Sequence, residues 1–179
     1  MSVADLSNGW IVVLWFGVLG LCVGSFVNVF CYRWPIMKGL GEYADGVVLQ
    51  QLMAKHGKFT LAFPRSACPC CDSTVKVQHN IPVIGWLLLR GKCNDCGARI
   101  SWKYPAIELL FGLVFAGYIW IEGLWIAGLL SLPLMSIAFC FLWVRIAHRH
   151  NVKMLMWFYV FTVVAQIGLS GMGYSAYAQ

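Results

Sequence analysis

The sequence predicts an all-α integral membrane protein with about four transmembrane helices and a small zinc-ribbon-like cytoplasmic domain between the first and the second. Three observations predict it. Hydrophobic residues make up 60% of the 179 positions and charged residues only 11%, far from the roughly 45–50% apolar content of ordinary soluble domains. Ten of the thirteen basic residues fall in one interval, Arg33 to Lys103. That interval also holds two closely spaced cysteine pairs.

A helix needs about 20 mostly apolar residues to cross a bilayer. Four stretches approach this: Trp10–Cys31, Pro105–Ile121, Leu124–Val144 and Leu155–Gly168, the last being the shortest. Lys and Arg accumulate in cytoplasmic loops, so charge orients the spans. The residues ahead of the first stretch contain neither. The link around Glu122 contains neither, the next link holds Arg145, Arg149 and Lys153, and nothing basic follows. The N-terminus is therefore expected in the periplasm and the polar interval in the cytoplasm, in a multi-pass protein of the bacterial inner membrane. The first stretch read as a cleaved signal peptide lacks a basic n-region and runs straight into Arg33. A formal net charge of +6 would suit nucleic acid, but loop bias and attraction to anionic lipid account for it. The lipid bilayer, and not nucleic acid, is the expected partner.

Three segments follow: residues 1–32 as the first transmembrane helix, 33–104 as a cytoplasmic zinc-binding loop domain, and 105–179 as the remaining transmembrane helices. A polar segment of about 70 residues is small enough that metal or disulfides commonly supply what its core cannot. Within it Val47–Lys55 suits a short helix, and Cys68–Ile100 has the turns and scattered glycines of a metal ribbon.

Cys68-Pro-Cys-Cys71 and Cys93-Asn-Asp-Cys96 have the paired C-x2-C spacing of a structural zinc site, each pair turning two thiolates toward one tetrahedral ion. Gly97 follows the second pair, where such a knuckle needs positive φ. Two disulfides are the alternative, disfavoured in a reducing cytosol. Cys70 could take the place of Cys71 at poorer spacing. Cys22, Cys31 and Cys140 lie in or beside apolar stretches and read as packing residues. Four thiolates leave no open coordination position, so the zinc is expected to be structural.

Gly24, Ser25 and Asn28 are small or polar residues on neighbouring turns of an apolar helix, a pattern that lets helices approach and bond across the contact. Glu108 lies several residues inside an apolar run, where an ionisable group is costly and a functional candidate. The alternative is an interfacial carboxylate paired with Arg33 or Lys103.

Several segments together carry a family likeness: Gly24-Ser-Phe-Val-Asn-Val-Phe-Cys-Tyr-Arg-Trp-Pro35, Pro64-Arg-Ser-Ala-Cys68, the two cysteine pairs, Asn80-Ile-Pro-Val-Ile-Gly-Trp86, Leu89-Arg-Gly-Lys-Cys93 and Lys103-Tyr-Pro-Ala-Ile-Glu108. In order and spacing they resemble the type IV prepilin peptidase/N-methyltransferase family, whose members cleave prepilin leaders and methylate the new N-terminus. The resemblance implies a prepilin or pilin-like substrate met by Gly24, Ser25, Asn28 and Arg33. It also implies methyl transfer from S-adenosylmethionine by the N-terminal region and its loop. For that transfer Glu108, or Glu42, is the acid able to take the amine proton.

The second half departs from the pattern. The family cleaves with two aspartates near the ends of later spans, one base and one proton donor. The acids of this chain are Asp5, Glu42, Asp45, Asp72, Asp95, Glu108 and Glu122. Aligned on the family, Arg145 and Lys153 stand where carboxylates are expected, and Ala176 stands at the aspartate of a Gly-x-Gly-Asp-like segment. His148 and His150, among Arg145, Arg149 and Lys153, read as a basic anchor. The expectation is a prepilin-peptidase-like protein without the aspartyl dyad. Either it methylates pilin-like substrates, or it acts without catalysis as an adaptor, regulator or split-enzyme partner of a true prepilin peptidase, in a type IV pilus or type II secretion system.

Overall fold

The computed structural model describes residues 9–124 and 126–148. Five helices form its framework: α1 (Gly9–Lys38), α2 (Val47–His56), α3 (Ile84–Leu88), α4 (Lys103–Glu122) and α5 (Ile126–His148), with single 3-10 turns at Gly41–Tyr43 and Val77–Asn80. The described residues contain no strand, only isolated bridges from Ala67 to Thr74 and from Lys92 to Arg99. The ribbon expected over Cys68–Ile100 is thus a pair of one-bridge turns.

α1 does not stop where its apolar run stops. It continues past Cys31 to Lys38 with Pro35 inside it. At 1.5 Å per residue its 30 residues span about 45 Å against a hydrocarbon core of about 30 Å. It is thus longer than a span requires, and its charged residues, Arg33 and Lys38, lie in its last turns. α4 starts with Pro105 in its first turn, where a missing N–H removes no helical bond.

α1 and α4 are each long and apolar enough to cross a membrane, yet only 17% and 28% of their apolar windows are buried in the protein. Trp15, Leu113 and Ile121 stand 70% or more exposed on these helices. Water would penalise such a surface and hydrocarbon accepts it, as a membrane protein requires. α5 carries a shorter apolar stretch, Leu130–Ile146. Among the described residues two helices are thus candidate spans, the third expected span, Leu124–Val144, falls largely on α5, and the expected fourth, Leu155–Gly168, lies outside the described residues with Arg149, His150, Lys153 and Ala176.

The core sits where α1 meets α4. A Cβ at Gly20 would fall 2.4 Å from the Phe111 carbonyl oxygen, and one at Gly24 2.8 Å from Glu108 Cα. Glycines four residues apart thus let the two backbones touch, the small-residue contact of membrane helices. Around the seam Val27, Phe111, Phe115 and Ile119 are buried, joined by Leu132 and Cys140 of α5. Phe139 meets Phe111 edge-on at 5.1 Å.

Candidate functional site

The four cysteines singled out by spacing converge. The sulfurs of Cys68, Cys71, Cys93 and Cys96 all lie within 4.8 Å of one another, with Cys68 and Cys96 at 3.7 Å and Cys71 and Cys93 at 3.9 Å. Tetrahedral zinc with bonds of about 2.3 Å sets its sulfurs about 3.8 Å apart, so the donor set fits the ion. Cys70 is exposed and outside the cluster.

Each pair is delivered by the same turn. The Cys68 N–H donates to Ser73 O and the Asp72 N–H to Cys68 O, while Cys93 N–H donates to Ala98 O and Gly97 N–H to Cys93 O. The residue after each pair is left-handed: Gly97 at φ 71° and Asp72 at φ 56°. The expected role of Gly97 holds, and Asp72 does the same work on the other side. Aspartate is one of the few side chains that tolerate this region.

The turns also tune the thiols. Backbone N–H groups of Cys96 and Asp95 hold the Cys93 thiol down at about 6, and the Ser73 hydroxyl and N–H hold Cys71 below the ordinary range. Cys96 is pushed up to about 12: the Ala98 N–H favours its thiolate, but hydrogen bonding to the other thiols and desolvation outweigh it. Four crowded thiols cannot all ionise alone, whereas a divalent cation deprotonates them together.

Two ties connect this loop to the helices. Arg33 is buried on α1, and its guanidinium donates to the carbonyls of Thr60 at 2.7 Å, Leu61 at 3.4 Å and Pro64 at 2.6 Å. Its charge rests over the Phe59 ring at 5.3 Å, a cation–π contact. Glu108 is buried on α4 and accepts from the Val83 N–H at 2.7 Å. The expected alternative, pairing with Arg33 or Lys103, is not what forms. A backbone N–H held at φ 61° has the carboxylate instead.

The remaining candidates divide. Gly24 and Asn28 serve the helix contact, with Asn28 Nδ2 donating to Tyr104 O at 3.1 Å; Ser25 is half-buried beside them. Arg33, Arg65, Pro64 and Asn80 line a hollow of about 220 Å³. Cys31 and Cys140 interact between α1 and α5. Spacing did not point to Val83, Trp86 or the carbonyls of residues 60–64. Trp86 Nε1 donates to Ile100 O at 3.1 Å, and the Gly91 Cα faces its ring so closely that a Cβ would meet it at 2.8 Å. The Trp86 and Gly91 of the quoted motifs are thus one packing unit.

Residues 18–121, the span holding these helices, ties and cysteines, match the bacterial peptidase A24 N-terminal domain. The chain belongs to that family. A type 4 prepilin-like proteins leader peptide-processing enzyme of Escherichia coli O78:H11 (strain H10407 / ETEC) is 41% identical over 128 residues, 66% of this chain and 44% of that protein. A prepilin leader peptidase/N-methyltransferase of Stutzerimonas stutzeri is 44% identical over 130 residues, 70% of this chain and 45% of that protein. One from Dickeya chrysanthemi is 39% identical over 120 residues, 63% and 41% respectively. The chain thus spans less than half the length of these relatives, and the family reading of its motifs is borne out. No solved structure matches it.

Proposed function

We propose that this chain is a non-cleaving, prepilin-peptidase-like protein of the inner membrane that engages the N-terminal segment of pilin-like proteins and methylates it with S-adenosylmethionine. One observation carries the reading. The matched N-terminal domain keeps its cysteines and ties, while Arg145 stands where the resemblance expects the first catalytic aspartate, and a cation at that position cannot serve as the base of peptide hydrolysis. The names of its relatives pair peptidase with N-methyltransferase, and the region matched here is the one the resemblance links to methylation. In this reading residues 1–32 and 105–179 hold the transmembrane helices and 33–104 faces the cytoplasm. Structural zinc orders the loop through Cys68, Cys71, Cys93 and Cys96. Glu108 takes the amine proton, and Ser25, half-buried on α1 beside the contact held by Gly24 and Asn28 and the loop tie held by Arg33, meets the substrate helix.

A specific observation favours a second reading, that of a non-catalytic adaptor or a partner to a true prepilin peptidase. Glu108 already accepts from Val83 and Arg33 already serves three carbonyls, so both behave as positioning residues.

Purified protein in lipid is given labelled S-adenosylmethionine with a leaderless pilin, and full-length prepilin in parallel. Methylation without cleavage is expected. Neither activity, in protein retaining zinc, leaves the adaptor reading, and cleavage overturns the non-cleaving assignment.

A further inference from the structure

α3 is tied to the end of a membrane helix and presents apolar side chains to its surroundings. The Val83 N–H that Glu108 accepts immediately precedes α3. Glu108 lies five residues into α4, about 7.5 Å along its axis, where the exposed apolar surface of Leu109 and Leu110 begins. α3 therefore starts level with the edge of the apolar layer. Its Ile84, Leu87 and Leu88 are 52%, 59% and 64% exposed, and Trp102, just ahead of α4, is 68% exposed. Aromatic residues at this height favour the headgroup boundary.

Trp86 of α3 and Trp102 line a hollow of about 440 Å³ together with Gly91 and the cations Arg90, Lys92 and Arg99. No acid lines it. None of the three cations forms an ion pair with a described residue, and the nearest acid in sequence, Asp95, bonds Asn94. The backbone under the hollow is held in place: Trp86 Nε1 donates to Ile100 O, and the backbones of Lys92 and Arg99 pair in an antiparallel bridge. Three cations without an acid partner among the described residues thus share a hollow with Trp86 of α3 and with Trp102, the residue just before α4.

We propose that this face is an interfacial lipid site, in which Arg90, Lys92 and Arg99 hold the phosphate of an anionic phospholipid while Ile84, Leu87 and Leu88 enter the acyl boundary. The occupant is a lipid of the leaflet facing the loop, because the tie at Glu108 keeps the site at membrane height. The proposal rests on α1 and α4 crossing a membrane.

The test uses the full chain in vesicles of phosphatidylcholine alone or with phosphatidylglycerol brominated on its acyl chains. Insertion into phosphatidylcholine alone, read by resistance to carbonate extraction, tests the membrane reading separately. The bromine-quenched part of Trp102 emission, taken as the difference between wild type and Trp102→Phe, reads the site. Each basic side chain contributes roughly fivefold in affinity at an anionic surface. Arg90→Gln with Lys92→Gln and Arg99→Gln should therefore weaken phosphatidylglycerol binding on the order of a hundredfold, with zinc content unchanged. The site is overturned if the triple variant is quenched like wild type. It is overturned equally if Lys58→Gln with Lys76→Gln weakens binding as much per charge, or if inorganic phosphate displaces the brominated lipid.

Discussion

Where α1 meets α4, backbones touch through Gly20 and Gly24 and the nearest neighbours are Phe111 and Glu108 Cα. In the loop between them, contact is made by four sulfurs, a guanidinium on three carbonyls and an indole on another. The first region is held by close backbone approach and buried aromatic side chains, with one hydrogen bond from Asn28 to Tyr104 O. The second buries little apolar side chain, Phe59 being its one large buried hydrophobe among the described residues, and brings together four sulfurs that could hold a metal ion. The lesson is that one short chain uses two means of holding itself together, and that the two should fail separately.

Metal removal is the strongest way to break that comparison. Structural zinc contributes about 10–16 kcal/mol of apparent binding free energy in small metal-dependent folds, more than a loop of this size can otherwise supply. Chelation, or Cys68→Ser with Cys93→Ser, should unfold residues 59–100 and leave α1 against α4. Limited proteolysis checks it: new cleavage confined to the loop is expected, and cleavage that also loosens the helices would show the two regions to be one unit. Alkylation gives a second readout: unfolding takes from Cys93 the backbone N–H groups of Cys96 and Asp95 that hold its thiol down, so in metal-free protein its reactivity should rise with pH as that of an ordinary cysteine does, with a midpoint of about 8.5.

The helix seam is broken by adding atoms. Gly20→Val drives a side chain into the Phe111 backbone, which cannot rotate away, so the cost should sit at the upper end for overpacking, about 3 kcal/mol. Unfolding in detergent reads it, with zinc content unaffected if the regions are independent.

Arg33 is the residue at which the comparison can be sharpened, because it stands on α1 and bonds the loop. Arg33→Met keeps the stem and strands the carbonyls of Thr60 and Pro64, a loss of about 2 kcal/mol for charged hydrogen bonds. It should raise amide exchange over residues 59–66 while leaving both the seam and the metal in place. Arg33→Lys should recover only part, since an ammonium cannot fork between acceptors.

Legibility in the sequence followed the same division. Cysteine spacing and Gly97 pointed to the metal turns because those constraints are local, and Gly24 and Asn28 marked the helix contact because helical periodicity brings them to one face. The partner of Glu108 was not readable. Arg33 and Lys103 were the charges in view, whereas the acceptor of its bond is met by a backbone N–H at Val83 that no residue type advertises. Arg33 has the same history, since its partners are carbonyls. The end of α1 was placed early because hydrophobicity ends at Cys31, but helical hydrogen bonding does not require it and continues to Lys38.

The smallest effect tests the finest point, the equivalence of the two metal turns. Nothing lies within 4 Å of a Cβ placed on Gly97, so a substitution there meets no neighbour and its cost is that of left-handed backbone alone. Gly97→Ala should lower the stability of the zinc-loaded loop by about 1 kcal/mol. Gly97→Asp should cost less, because Asp72 occupies the matching position of the other turn at φ 56° and short polar side chains bond locally in that region. Zinc competition with a chelator orders the three proteins as wild type, then Asp, then Ala. If Asp is as damaging as Ala, the turns differ in more than sequence, and Asp72 is held left-handed by its contact with Lys55 and not by its own preference.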